Sequence, residues 1–300
     1  MDLNNLGIFY KASYLVQGNR IERCNTSKKL NVKNTFLKIR NDGKDSDIES
    51  IRKHYNGNLY FHLPSINPDL SNLNSVNNLV KEIKNNNIEL VSIDASNLSF
   101  ELFEWSTVEE QKKYFLNIVT SIATIVSNKI QVVIENVKYS KNNTKFGSKI
   151  SELTDLLAYV NKLLIKDFGF KDEDVKKYLG ISLNCGNLGT ESIDNFIEVF
   201  ENNIKIIKVT KQTNIDSIIR FVKGKKNIKI FLETSSDLDD IKDEYKLFEE
   251  KIVKYLKDTG EVINNTSIEK NNNGFSNILM VSMVVLTIVI VILMFIVKLR

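Results

Sequence analysis

The chain has 300 residues, a formal net charge of +4 and an isoelectric point near 8.7. That length suits one large α/β domain or two small ones, and so mild a basicity is far from the cationic excess of a histone-like protein. Two cysteines, Cys24 and Cys185, exclude a disulfide framework or a zinc ribbon, and two histidines, His54 and His62, exclude any site built on three imidazoles.

In chain order, residues 6–10 form a candidate first strand, and the segment up to about residue 30 shows no clear pattern. Residues 34–39 (NTFLKI) read as the second strand, 47–55 as a short helix and 58–62 (NLYFH) as the third strand. The following LPSINPDLSN holds both prolines of the chain, Pro64 and Pro68, and reads as a rigid loop. Val76, Leu79, Val80 and Ile83 stripe a helix before a fourth strand at 89–93, which stops at Asp94. Thr107 with Glu110 forms a capping box that opens a long helix striped by Phe115, Ile118, Val119, Ile122 and Ile125. The fifth strand, KIQVVIEN, is a β-branched run ending at Glu135, the pattern of a strand buried on both faces. A helix at 151–164 precedes a sixth strand at 179–183, closed by Asn184. Phe196, Ile197 and Phe200 lead to a seventh strand at 205–209; Ile215, Ile218, Ile219 and Val222 lead to an eighth at 228–232, which stops at Glu233. A last amphipathic helix carries Ile241, Tyr245, Phe248 and Ile252. Eight such units predict a (β/α)8 TIM barrel over residues 1–257. An open doubly wound sheet is the alternative, disfavoured because no glycine-rich phosphate turn follows the first strand.

Residues 258–276 are polar and asparagine-rich and read as a linker. Residues 277–297 (NILMVSMVVLTIVIVILMFIV) carry no charge over a bilayer-spanning length, so one C-terminal transmembrane helix is expected. Residues 1–13 lack the basic and apolar regions of a secretory signal, which predicts a single-pass tail anchor with the barrel on the cytoplasmic side.

Several strand-end fragments together resemble the endonuclease IV family of apurinic/apyrimidinic endonucleases, among the xylose-isomerase-like barrels. They are YFHLPSINPDLSN, VVIEN with the later FGSKISELTDLL, GISLNCGNLGTESID, IKIIKVTK and IKIFLET. The resemblance implies zinc ions held by His, Asp and Glu at the strand ends, cleaving the phosphodiester beside an abasic sugar. On it, His62, Glu135 and Glu233 match ligand positions, and Asp94 is a further candidate. Asn184 and Asn187 stand where the family has an aspartate and a histidine, Lys208 where it has a histidine, and Ser65 where it has a tyrosine. Asparagine is a poor zinc ligand and an ammonium repels a cation, so the zinc site is expected to be dismantled, with Lys208 neutralising Glu135 and Glu233.

The expected function is therefore a membrane-anchored, non-catalytic binding or structural module with no cofactor. The alternative is a divergent apurinic endonuclease or sugar isomerase/epimerase using zinc or another divalent metal at His62, Asp94, Glu135 and Glu233. A lysine enzyme forming a Schiff base at Lys208 is a third reading. Lys138, Lys141 and Lys145 beside the mouth are candidate phosphate-binding residues, so a nucleic acid is a possible partner. An anionic lipid surface is the other, because lysines recur before the strands. Cys185 has no histidine nearby in sequence to activate it and reads as a small packed residue.

Overall fold

A computed structural model describes residues 2–10, 19–38, 48–63, 73–95, 107–138, 146–225, 227–234 and 238–259. The strands are β1 (Leu6–Tyr10), β2 (Asn34–Lys38), β3 (Asn58–His62), β4 (Leu90–Asp94), β5 (Gln131–Glu135), β6 (Leu179–Asn184), β7 (Ile204–Val209) and β8 (Lys229–Thr234). Each pairs in parallel with the next, and β1 pairs with β8, so the sheet closes into a barrel. The doubly wound alternative is excluded by that closure. The helices are α1 (Asn19–Lys29), α2 (Ile48–His54), α3 (Leu73–Asn85), α4 (Val108–Ser127), α5 (Ile150–Lys166), α6 (Asp172–Tyr178), α7 (Ile193–Phe200), α8 (Asp216–Val222) and α9 (Leu238–Asp258).

Alternation along the strands divides the core into two layers. The outward residues meet the helices in one continuous cluster, while Phe9, Phe36, Tyr60, Leu90, Val133, Ile206 and Phe231 fill the barrel itself. Four of these are rings in edge or stacked contact, with Phe36 lying 5.1 Å from Phe231 and 5.3 Å from Phe9 between centroids. Gly7 makes room for that plug. A Cβ there would lie 2.5 Å from the Asn34 carbonyl oxygen and 2.6 Å from the Phe231 ring. Gly7→Ala is expected to destabilise the barrel by about 1–3 kcal/mol through overpacking. Urea unfolding at neutral pH measures it.

The capping box is present: Thr107 Oγ1 accepts the Glu110 N–H at 3.2 Å, and Glu110 Oε2 accepts the Thr107 N–H at 2.7 Å. Two helices were not expected from periodicity. The inner face of α1 is Arg20, Arg23, Cys24 and Ser27, spaced as a helical stripe but mostly polar. It is accepted against the barrel because Ser27 hydrogen-bonds the Tyr10 hydroxyl at 2.9 Å and the Arg23 guanidinium sits 5.3 Å over the Tyr10 ring. In α6 only Val175 is buried, too little for a stripe. The prolines Pro64 and Pro68, Ser65, Lys141, Lys145 and the expected span 277–297 lie outside the described residues. Among the described residues no helix is long and apolar enough to cross a membrane.

Candidate functional site at the barrel mouth

Register places the strand-end residues around one opening. Lys38 pairs with His62, Asp94 with Glu135, and Asn184 with Lys208, each on neighbouring strands. His62, Glu135, Asn184 and Lys208 are all buried, and Asp94 is partly so.

Glu135 is the hub. Its Oε2 accepts from Lys208 Nζ at 2.5 Å, Ser92 Oγ at 2.8 Å and Ser182 Oγ at 3.2 Å, and its Oε1 accepts from Asn184 Nδ2 at 3.0 Å. Burial pushes its carboxyl upward, but the Lys208 ammonium, with help from His62, outweighs this and holds it below the ordinary carboxylate range. Lys208 is fully buried, and its ammonium lies 3.9 Å over the Phe9 ring and 4.4 Å over Phe36. The aromatic plug is thus the floor of the ion pair, favouring the cation through the ring faces.

Asn184 ties the second glutamate to the first. Its Oδ1 accepts the Gly186 N–H at 3.0 Å, which fixes the amide so that Nδ2 donates to Glu135 and, at 2.7 Å, to Glu233 Oε2. Asn136 holds this strand end in place, accepting the Asn184 N–H at 2.6 Å and donating to its carbonyl at 2.9 Å. Cys185 follows, and burial, with Glu233 adding to it, pushes its thiol up to about 12. A thiol so protonated is no nucleophile, in line with a packed residue.

On the other side of Glu135, His62 Nδ1 meets Ser92 Oγ at 2.9 Å. Because the Ser92 hydroxyl proton is donated to Glu135, Nδ1 carries the proton of this contact and Nε2 faces Asp94 Oδ1 at 3.5 Å. Burial would raise the Asp94 carboxyl, yet His62, then Lys208 and Lys38, bring it to about 2.

The expected residues His62, Asp94, Glu135, Asn184, Lys208 and Glu233 therefore meet in one network. Lys138 is exposed just after β5, outside that network among the described contacts. Sequence reading missed Ser92 and Ser182, which bond to Glu135. Their signal was available: each stands two residues before a strand-end polar residue, hence on the same inward face.

A zinc cluster of the endonuclease IV kind does not fit these side chains. Glu135 Oε2 is saturated by three donors, the Asn184 amide turns N–H groups towards both glutamates, and a cation already lies between the strands that would supply ligands. Among the described residues, one group could still hold a single ion: ligand atoms of His62, Asp94 and Glu135 lie within 4.8 Å of one another.

No family model matches the chain, and no curated protein matches it. Solved structures do. The chain is similar to a D-tagatose 3-epimerase-like protein at 14% identity and TM-score 0.62, covering 85% of this chain and 98% of that one. It is also similar to a family 2 AP endonuclease from Brucella melitensis (10% identity, TM-score 0.57, 77% and 92% covered). A third is a xylose isomerase domain protein from Planctomyces limnophilus (9%, TM-score 0.52, 85% and 97%). The fold they share is the (β/α)8 barrel. At such identities the likeness fixes architecture alone, and function must be argued from the mouth.

Proposed function

We propose that this chain is a membrane-anchored, non-catalytic barrel of the xylose-isomerase-like fold, acting as a binding or structural module whose mouth is closed by an internal ion pair. The observation that carries the reading is the set of four donors on Glu135, with Lys208, Ser92 and Ser182 on Oε2 and Asn184 on Oε1. A metal would have to displace a buried ammonium and find lone pairs where N–H groups point, and hydrolysis of a phosphodiester on this scaffold needs metal ions to supply hydroxide and stabilise charge. A Schiff base at Lys208 is disfavoured for a related reason: its nitrogen is fully buried and bonded to Glu135, whereas an amine nucleophile must be open to the carbonyl it attacks. Anchoring is supported by the uncharged residues 277–297 after a polar linker.

The second reading is a metal-dependent nuclease or sugar isomerase/epimerase with one divalent ion at His62, Asp94 and Glu135, joined by Glu233. It is favoured by the His62 geometry, in which Nδ1–H is held by Ser92 and Nε2 is turned to Asp94, an arrangement that also suits a metal-bound imidazole. Metal content of the purified full-length protein, with assays of abasic-duplex incision and ketose epimerisation in added zinc, manganese or cobalt, separates the two. The proposed reading expects substoichiometric metal and no turnover. Stoichiometric metal with an activity abolished by Glu233→Gln would replace it with the second.

A further inference from the structure

All helix-to-strand turns of this parallel barrel lie on the face opposite the mouth, and that face is lysine-rich. Lys29 ends α1, Lys84 stands in the last turn of α3, Lys129 precedes β5, Lys176 stands in the last turn of α6 and Lys223 follows α8, each exposed. Asp172, Glu173 and Asp174 open α6 beside Lys176, and Lys129 lies over the Phe170 and Tyr178 rings at the same corner, so charge is mixed there and the basic excess rests on Lys29, Lys84 and Lys223. The same face holds a polar cleft of about 300 Å³ lined by Arg52, Asn58, Tyr60, Asn87 and Glu89. There the Arg52 guanidinium donates to the Gly57 carbonyl at 3.5 Å and to the Asn87 carbonyl at 3.2 Å. Because α9 runs against β8, its last residues, Lys257 and Asp258, also lie on this side. The chain therefore continues from the basic face into residues 260–276 and the uncharged 277–297.

We propose that this face docks on the anionic headgroups of the bilayer that residues 277–297 enter, turning the mouth to the solvent. The inference rests on the membrane-anchored reading and adds an orientation to it. Lysines near a negatively charged leaflet are attracted within a Debye length, and the anchor supplies the proximity that such short-range attraction requires. Helix dipoles alone favour lysine at helix C-termini. Lys129, two residues past α4, also rests 4.1 Å over the Phe170 ring; what sets this face apart is that the chain leaves it for the uncharged residues 277–297.

The test is amine acetylation followed by mass spectrometry on the full-length protein, reconstituted in vesicles of phosphatidylcholine alone or with phosphatidylserine. Lys29, Lys84 and Lys176 are expected to react about threefold or more slowly on the anionic vesicles, with the difference lost at high salt. Lys149 and Lys211 near the mouth should react equally on both. The combined Lys29→Glu, Lys84→Glu and Lys176→Glu variant should stay on the vesicles while Lys129 and Lys223 lose their protection. Equal labelling on both vesicle types, or protection of Lys149 and Lys211 instead, overturns the docking. Protection by duplex DNA but not by lipid overturns it in favour of a nucleic acid. Protein that floats with neither vesicle refutes the anchor itself, a result separable from loss of docking.

Discussion

Lys208→Ala is expected to destabilise the barrel by about 3–5 kcal/mol, because it leaves Glu135 an uncompensated buried carboxylate. The pair itself need not be worth that much, since taking both ions from water costs several kcal/mol before their attraction acts. Breaking it by halves is what costs. Hence Lys208→Met combined with Glu135→Gln should recover most of the loss, leaving neutral groups beside the Phe9 and Phe36 rings. The pH dependence has a definite sign. In the native protein Glu135 and Asp94 both titrate below their unfolded values, Asp94 at about 2. Their contribution is present above the unfolded carboxylate range of about 4 and is lost as pH falls towards 2. Without Lys208, burial dominates at Glu135, its carboxyl rises above the unfolded value, and that contribution reverses: lowering the pH from neutrality towards the unfolded carboxylate range should then stabilise the variant. Urea unfolding at several pH values reads both effects. A loss below about 1 kcal/mol for Lys208→Ala would mean that the ion pair does not organise the mouth.

Asn184→Asp should be nearly as damaging at neutral pH, with a loss of about 3 kcal/mol. It removes the donor of two hydrogen bonds to carboxylates, each of a kind worth about 1.5–3 kcal/mol, and places a third acid between Glu135 and Glu233. The Asn136 clamps on the Asn184 backbone remain, so the variant should keep its fold and lose stability locally. Adding zinc or manganese should raise its melting temperature, because a ligand that binds only the folded state stabilises it by mass action. Addition of Lys208→His should enlarge that response by replacing the repelling ammonium with an imidazole. The native protein should show little shift. A comparable metal-dependent shift in the native protein would instead favour a working site at His62, Asp94 and Glu135.

The barrel was legible in the sequence because its strands are short apolar runs, most of them ending at a polar residue, and burial between helices and barrel interior demands that pattern whatever the register. Boundaries moved by one or two residues, as at Asn34–Lys38 against 34–39 and Lys229–Thr234 against 228–232. α1 was missed because its inner stripe is Arg20, Arg23 and Ser27, and periodicity of hydrophobicity cannot see a polar face that is hydrogen-bonded to a tyrosine. The mouth was half legible. Strand-end position and the chemistry of Lys208, Glu135 and Glu233 were enough to expect a cation among carboxylates. Which carboxylate receives it depended on closure of the sheet: Asn184, not Lys208, supplies the hydrogen bond described at Glu233, and Ser92 and Ser182 complete Glu135 from the two strands beside it. Composition and spacing along one chain state which groups face inward. Only the stagger of neighbouring strands sets which of them come within hydrogen-bond distance, and that distance is what turns charged residues into an ion pair in place of a metal site.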